Sequence, residues 1–322
     1  MKDLFAYFDR ELPRINAFLE QETRKLDGLV REVAAHVLLA GGKRIRPVLT
    51  ILAARALGYE AGDVHPLACA LEMLHSATLI HDDVLDGAEL RRGRPAAHLV
   101  FGLNETILAG DVLLALSNRI GASYGKPRIS FLLAEGIMAT AEGEILELGL
   151  AAAPTADRET YLQVIIGKTA RLIETCCRCG AALACADRPA EDAAGEFGLN
   201  LGIAFQLVDD ALDYSSAPDD TGKPLGGDLR EGKVTLPLIF LLEEMPQAGQ
   251  TAFLARLKTD GLAAPECGDV VRRVRERGFD AKTREVAAAY IAKAREGLAR
   301  LPGRPETRIL DQAAEFVLTR RK

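Results

Sequence analysis

Tryptophan is absent from this 322-residue chain, and aromatic residues make up only 5% of it. A β-sandwich or barrel draws on aromatic and β-branched side chains, so their scarcity beside abundant Ala and Leu points to a helical core. No stretch reaches the roughly 18–20 apolar residues of a membrane span. The N-terminus, MKDLFAYFDRELPRINAFLE, is charged throughout and lacks the apolar region of a signal peptide. Positive charge is in short supply as well. With 40 basic and 46 acidic residues the net charge is −6, which argues against a protein that coats nucleic acid or anionic lipid. Cysteines number six, four of them within residues 176–185, where neighbours such as Cys176 and Cys177 cannot sensibly bridge. A reduced, cytoplasmic protein with no integral membrane segment is expected, not a secreted disulfide framework.

What the chain does have is a 48% hydrophobic fraction, enough for a sizeable core. Apolar residues recur at helical spacing from residue 2 to about 38, with Leu4, Phe5, Phe8, Leu12, Ile15 and Phe18 on one stripe. Gly41-Gly42 ends that run, and Pro47 falls in the first turn of the next helix, where its missing N–H costs nothing. That helix runs to about Leu57, and another spans roughly 66–83 before a polar loop from Gly87 to Pro95. Further helices are expected near 104–123, 128–149, 158–186, 190–214, 233–244, 248–257, 266–276, 280–300 and 305–320, with the longest loop from Ala217 to Gly232. No segment alternates with period two, no repeat of fixed period is visible, and no low-complexity linker divides the chain. The expectation is one all-α domain over residues 1–322.

Two acidic clusters stand out. In His81-Asp82-Asp83-Val84-Leu85-Asp86 the i, i+4 spacing aims Asp82 and Asp86 the same way, with Asp83 to the side. Gln206-Leu207-Val208-Asp209-Asp210-Ala211-Leu212-Asp213 repeats the pattern, and Gln206 shares the face of Asp209 and Asp213. Carboxylates on one face repel unless a cation intervenes. Oxygen ligands of this kind suit Mg²⁺, which keeps open positions for water and phosphate oxygens. Each cluster follows an apolar run, LEMLHSATLI or LGIAFQLV, the setting of a cavity rim.

Basic residues cluster too. Lys43, Arg44 and Arg46 in GGKRIRP stand beside a helix N-terminus, which favours anions. Arg91-Arg92-Gly93-Arg94 follows the first acidic cluster, Lys168-Thr169 sits mid-helix, and Lys223 and Lys233 flank the Gly-rich loop. With the acidic clusters they indicate two phosphate sites, one metal-bridged and one held directly by Arg and Lys.

The chain resembles the trans-isoprenyl diphosphate synthases over residues 40–240. Five motifs carry the resemblance in order: GGKRIRP, DDVLD with Arg91-Arg92 downstream, GKTARL, FQLVDDALD and GKPLGGDLREGKVTLPL. It implies an all-α isoprenoid synthase-type bundle of mostly antiparallel helices around a deep central cavity, usually a homodimer. Asp82, Asp83, Asp86, Asp209, Asp210 and Asp213 would hold Mg²⁺ on the allylic diphosphate. Arg91, Lys168, Thr169, Gln206, Lys223 and Lys233 would contact that diphosphate. Lys43, Arg46, His75 and Arg92 would bind isopentenyl diphosphate. The implied reaction breaks the allylic C–O bond as metal and cationic side chains take up charge on the leaving diphosphate. The double bond of isopentenyl diphosphate attacks, and the released pyrophosphate takes the proton. The resemblance thus gives catalysis to Asp82, Asp83, Asp86, Asp209, Asp210 and Lys168, with no covalent enzyme intermediate.

Ala77 and Thr78, one turn before Asp82, are small where short-chain members of the family often carry bulky aromatics. A product tunnel should continue past them toward the helix at 104–123. The resemblance is then closest to long-chain octaprenyl or heptaprenyl diphosphate synthases that supply quinone side chains, with transient membrane contact at product release. Alternatives are a short-chain farnesyl or geranylgeranyl synthase, a terpene cyclase, or a non-catalytic subunit of a heteromeric synthase. The second aspartate set and Lys43/Arg46 oppose a cyclase, and retention of all six aspartates opposes a non-catalytic subunit. Cys176, Cys177, Cys179 and Cys185 read as small apolar packing on a helix, not a zinc site. His36, His65 and His98 have no partner pattern, His81 reads as structural, and Thr319 to Lys322 as a frayed tail.

Overall fold

The structure, a computed structural model, describes residues 1–60, 62–215, 226–259 and 262–320. It is built from helices, in line with the all-α expectation. In chain order these are α1 (Lys2–Arg24), α2 (Gly28–Leu38), α3 (Ile45–Ala56), α4 (His65–Leu85), α5 (Ala97–Phe101), α6 (Leu103–Ser123), α7 (Pro127–Ala152) and α8 (Arg158–Ile165). A single π turn, Ile166–Ala170, leads into α9 (Arg171–Leu183) and α10 (Arg188–Ser215). Then come α11 (Gly227–Arg230), α12 (Leu236–Glu243), α13 (Gln247–Thr259), α14 (Ala264–Glu276), α15 (Phe279–Leu298) and α16 (Pro305–Thr319).

The chain forms two compact units. The first comprises Met1–Met138, Leu172–Gly195 and Leu298–Gln312, and the second Ala139–Arg171, Glu196–Gly297 and Ala313–Lys322. In the first unit α4 is the hub. Buried positions on it include Leu67, Ala68, Cys69, Leu71, Met73, Leu74, Ala77 and Ile80, which point to every side of the helix. A helix apolar all round must be enclosed, and α4 packs on α1, α2, α3 and, most extensively, α6. In the second unit α12 plays a similar part: Leu236, Pro237, Leu238, Ile239, Phe240, Leu241 and Leu242 are all buried.

Three local outcomes differ from the periodicity reading. The run from 2 to 38 is two helices, because the chain turns at Lys25–Asp27 and Gly28 adopts φ +54°, a left-handed conformation that suits glycine. On α1 the buried face is Leu4, Tyr7, Glu11, Ile15 and Leu19, while Phe5 is exposed. The polar loop after Asp86 contains a two-stranded antiparallel ladder, β1 (Leu90–Arg91) and β2 (Arg94–Pro95). Arg92 (φ +53°) and Gly93 (φ +74°) turn it, as in the hairpin turns that match strand twist. The four cysteines expected on one helix also divide: Cys176, Cys177 and Cys179 are buried on α9, but Cys185 lies past its end, exposed, with Sγ 2.6 Å from Lys126 Nζ.

Candidate active site

In the first unit the C-terminal end of α4 carries the first acidic cluster. Asp83 is buried and accepts hydrogen bonds from Nε (2.8 Å) and Nη2 of Arg91 on β1. Asp82 is half-buried and Asp86, the C-cap residue, is exposed. One turn before Asp82, Ala77 is fully buried, and Thr78 spends its hydroxyl on the His75 carbonyl at 2.9 Å. His81, adjoining the aspartates, bonds the Ile107 carbonyl at 3.0 Å through Nε2 and packs over Gly110, so it fastens α4 to α6.

The basic residues of this unit converge. His75 is half-buried, and burial together with the guanidinium groups of Arg46, Arg92, Arg91 and Arg44 holds its imidazole well below the usual histidine range. It is therefore a neutral donor or acceptor set in positive potential. Burial also lowers the pKa of Arg46, whose Nε is buried and without a hydrogen-bond partner. An orphaned buried N–H on a cation is costly, and an anion would relieve it. Arg92 lies across the Gly41-Gly42 turn, its Nη1 donating to the Gly41 carbonyl; a Cβ on Gly42 would come within 3.0 Å of that guanidinium. Lys43 is exposed beside it. Arg44 serves the fold instead. In left-handed conformation at the α3 N-cap, it buries its guanidinium on Glu72 (2.8 Å) and the Leu38 carbonyl.

In the second unit α10 carries the second acidic cluster. Asp210 is buried and accepts from the Tyr161 hydroxyl and from Gln206 Nε2 at 2.8 Å. Gln206 Oε1 in turn accepts from the Thr169 hydroxyl at 3.0 Å, so Thr169, Gln206 and Asp210 form one hydrogen-bond chain. Asp213 accepts the backbone N–H groups of Gly227 (2.9 Å) and Asp228 (3.1 Å) at the start of α11, which is how the GGD triplet is used. Burial pushes Asp210 up to about 7, with Asp209 and Asp213 adding to the effect, and burial likewise raises Asp213 and Asp228. Burial thus disfavours the ionised form of these carboxylates, which a bound cation would restore. Asp209 has one cation, Arg320, whose Nη2 donates at 2.9 Å while the guanidinium lies 4.4 Å over the Phe205 ring. Arg320 is buried, so the tail is docked at least to this residue.

Lys168 stands in the π turn Ile166–Ala170, the kind of helix irregularity often found at functional sites. Its Nζ is 2.8 Å from Glu144 Oε2 and also bonded to Glu147 Oε2, both on α7. Lys233 pairs with Glu231 at 2.8 Å. Lys223 lies outside the described residues. Asp228, Tyr161, Glu144 and Glu147 are not singled out by sequence reasoning. Asp228 falls within the GKPLGGDLREGKVTLPL motif, which by itself gives it no role, and the other three have no local pattern that marks them.

The donor set at both clusters is oxygen only, which fits a hard divalent cation. Among the described residues no three acidic, His or Cys side chains are gathered closely enough to hold an ion.

Helices carrying aspartate pairs near their C-terminal ends define this as an isoprenoid synthase-type all-α protein. The chain belongs to the polyprenyl synthetase family, whose model matches residues 27–270. It is 37% identical over 230 residues to the octaprenyl diphosphate synthase of Escherichia coli (strain K12), covering 71% of each chain. It is 33% identical over 301 residues to heptaprenyl diphosphate synthase component 2 of Bacillus subtilis (strain 168), covering 94% of this chain and 85% of that one. A crystal structure of a polyprenyl synthase from Caulobacter crescentus CB15, complexed with calcium and isoprenyl diphosphate, superposes with a TM-score of 0.90 at 35% identity, covering 99% of this chain and 97% of that one. The chain is a trans-prenyltransferase by family, and no helix among its described residues is long and apolar enough to cross a membrane.

Proposed function

We propose that this chain elongates an allylic diphosphate such as farnesyl diphosphate by successive head-to-tail condensation with isopentenyl diphosphate, giving a long-chain all-trans polyprenyl diphosphate for quinone side chains. The observation that carries this reading is the charge imbalance within each unit. Asp210, Asp213 and Asp228 are carboxylates whose ionised form burial disfavours, whereas Arg46, Arg91 and Arg92 crowd a neutral His75 and leave Arg46 Nε unpaired. One surface asks for a divalent cation and the other for an anion. The family and the octaprenyl and heptaprenyl relatives support a long-chain product.

In this reading Asp82, Asp83, Asp86, Asp209, Asp210 and Asp213 hold Mg²⁺, which when bound supplies charge neutralisation for the departing diphosphate. Arg91, Lys168, Thr169, Gln206, Lys223 and Lys233 bind and orient the allylic diphosphate. Lys43, Arg46, His75 and Arg92 take the diphosphate of isopentenyl diphosphate. The Thr169–Gln206–Asp210 chain fixes the Gln206 amide, so its orientation does not depend on substrate. Ala77 and Thr78 leave the tunnel open beneath the site. In this reading the protein acts in the cytoplasm as a homodimer and as one domain over 1–322. The B. subtilis relative is named as one component of a synthase, which favours a heteromeric assembly as a second reading.

Incubation of the purified chain with farnesyl diphosphate, excess isopentenyl diphosphate and Mg²⁺ tests the proposal. Products longer than geranylgeranyl diphosphate, lost on chelation, are expected. Products stopping at geranylgeranyl length would make it a short-chain synthase, and no elongation would make it a partner-dependent subunit.

A further inference from the structure

The face of α7 turned toward Lys168 is unusual. Gly143 lies so close to the π turn that an added Cβ would come within 2.3 Å of the Lys168 backbone nitrogen. That contact brings Glu144 and Glu147, one and four residues on, against the lysine side chain. Their situations differ. Glu144 is buried, with both carboxylate oxygens shut off from solvent. Glu147 is about a quarter exposed, with a side-chain exposure of 23%. It acts on two cations, since its charge opposes the effect of burial at both Lys168 and Lys233. A carboxylate bonded to Lys168 and partly open to solvent has the charge and the oxygen acceptors of a small anion bound there.

We propose that Glu147 is a resident counter-anion that occupies the diphosphate position on Lys168 and is exchanged for the allylic diphosphate on binding. This rests on the reading of Lys168 as a diphosphate ligand. Glu144 stays in place through the exchange, because withdrawing this buried carboxylate from Lys168 would strand its charge. Glu147 loses little on release, since it swings into water. Its charge therefore sets the affinity for the incoming diphosphate: every binding event displaces one ion pair to form another. The same charge guards Lys168 against adventitious anions while the site is empty.

The test is calorimetric titration of the full-length protein with inorganic pyrophosphate in the presence of Mg²⁺, using E147Q, E147A and K168A. Both Glu147 variants are expected to bind pyrophosphate about tenfold more tightly than wild type. They should also show a lower KM for farnesyl diphosphate, with kcat changed much less. K168A is expected to bind more weakly. If Glu147 variants bind as wild type does, or more weakly, while K168A loses affinity, the counter-anion role is overturned and the diphosphate assignment stands. If K168A binds as well as wild type, the assignment of Lys168 fails and the proposal falls with it. The melting temperature of each variant shows that folding is intact, and E147A guards against a hydrogen bond retained by Gln.

Discussion

Glu11 shows what one residue contributes and why it is hidden in the sequence. Periodicity places Phe5, Phe8, Leu12 and Phe18 on the inner stripe of α1, yet the buried face passes through this carboxylate. Its partner His65, 54 residues on, bonds it at 2.9 Å through Nε2 and bonds Asp63 at 2.7 Å through Nδ1. Despite burial, His65, Arg55 and Arg10 hold the Glu11 carboxyl down at about 2, below its ordinary 4.5. A depressed carboxyl contributes stability above its ordinary pKa and loses it as pH falls toward the depressed value. Glu11→Gln should therefore cost about 3 kcal/mol near pH 7, as breaking a buried pair does. In denaturant titrations the gap from wild type should close between pH 4.5 and pH 2. A gap independent of pH would show that the carboxylate charge is not what matters. No single-sequence pattern marks such a pair, because a charge on an inner face contradicts the amphipathic rule until its partner is known.

At the scale of elements the legible features are those written locally. The aspartate spacings, the Gly41-Gly42 stop and the end of α3 close to Leu57 follow from short-range chemistry. The π turn at Lys168 is not legible, since it is imposed by the close approach of Gly143 and Gly167, 24 positions apart in sequence. Gly167 reads as a helix-weakening residue in a sequence and as a contact surface in the structure. The α4–α6 pair decides another question. Ala70 accepts from the Ser117 hydroxyl at 2.7 Å and His81 bonds Ile107, so both touch α6. Ala77, seven residues after Ala70 and four before His81, lies on that same face of α4. Ala77→Tyr should plug the space between these helices and shorten the products, read by chromatography of the dephosphorylated alcohols. Unchanged product length with an unchanged melting temperature would remove the tunnel from this face. A collapse in stability without shorter products would show that small size here serves only tight packing.

At the scale of the whole molecule, the exposed apolar side of α7 is the most informative surface. Phe131, Met138 and Ile145 recur every seven residues along it, and they are 53%, 55% and 69% exposed. Leu148 adds a fourth exposed apolar side chain on the same helix. Single exposed apolar residues need no explanation, but a seven-residue repeat forms a continuous stripe, and a helix of 26 residues displays it over its length. Water contact on such a stripe is unfavourable by about 25 cal/mol per Å² of apolar area, so a second copy of the helix laid against it would be stabilised. Glu144 and Glu147 stand on the same helix, which ties the site to the interface: a dimer that stiffens α7 also fixes the carboxylates holding Lys168. A Met138→Glu, Ile145→Glu double variant should sediment as a monomer where the wild type sediments as a dimer. Its turnover should fall while each monomer keeps its helical circular dichroism. A wild type that is monomeric at micromolar concentration, or a double variant that still dimerises, would place the interface elsewhere and leave the stripe to a different partner.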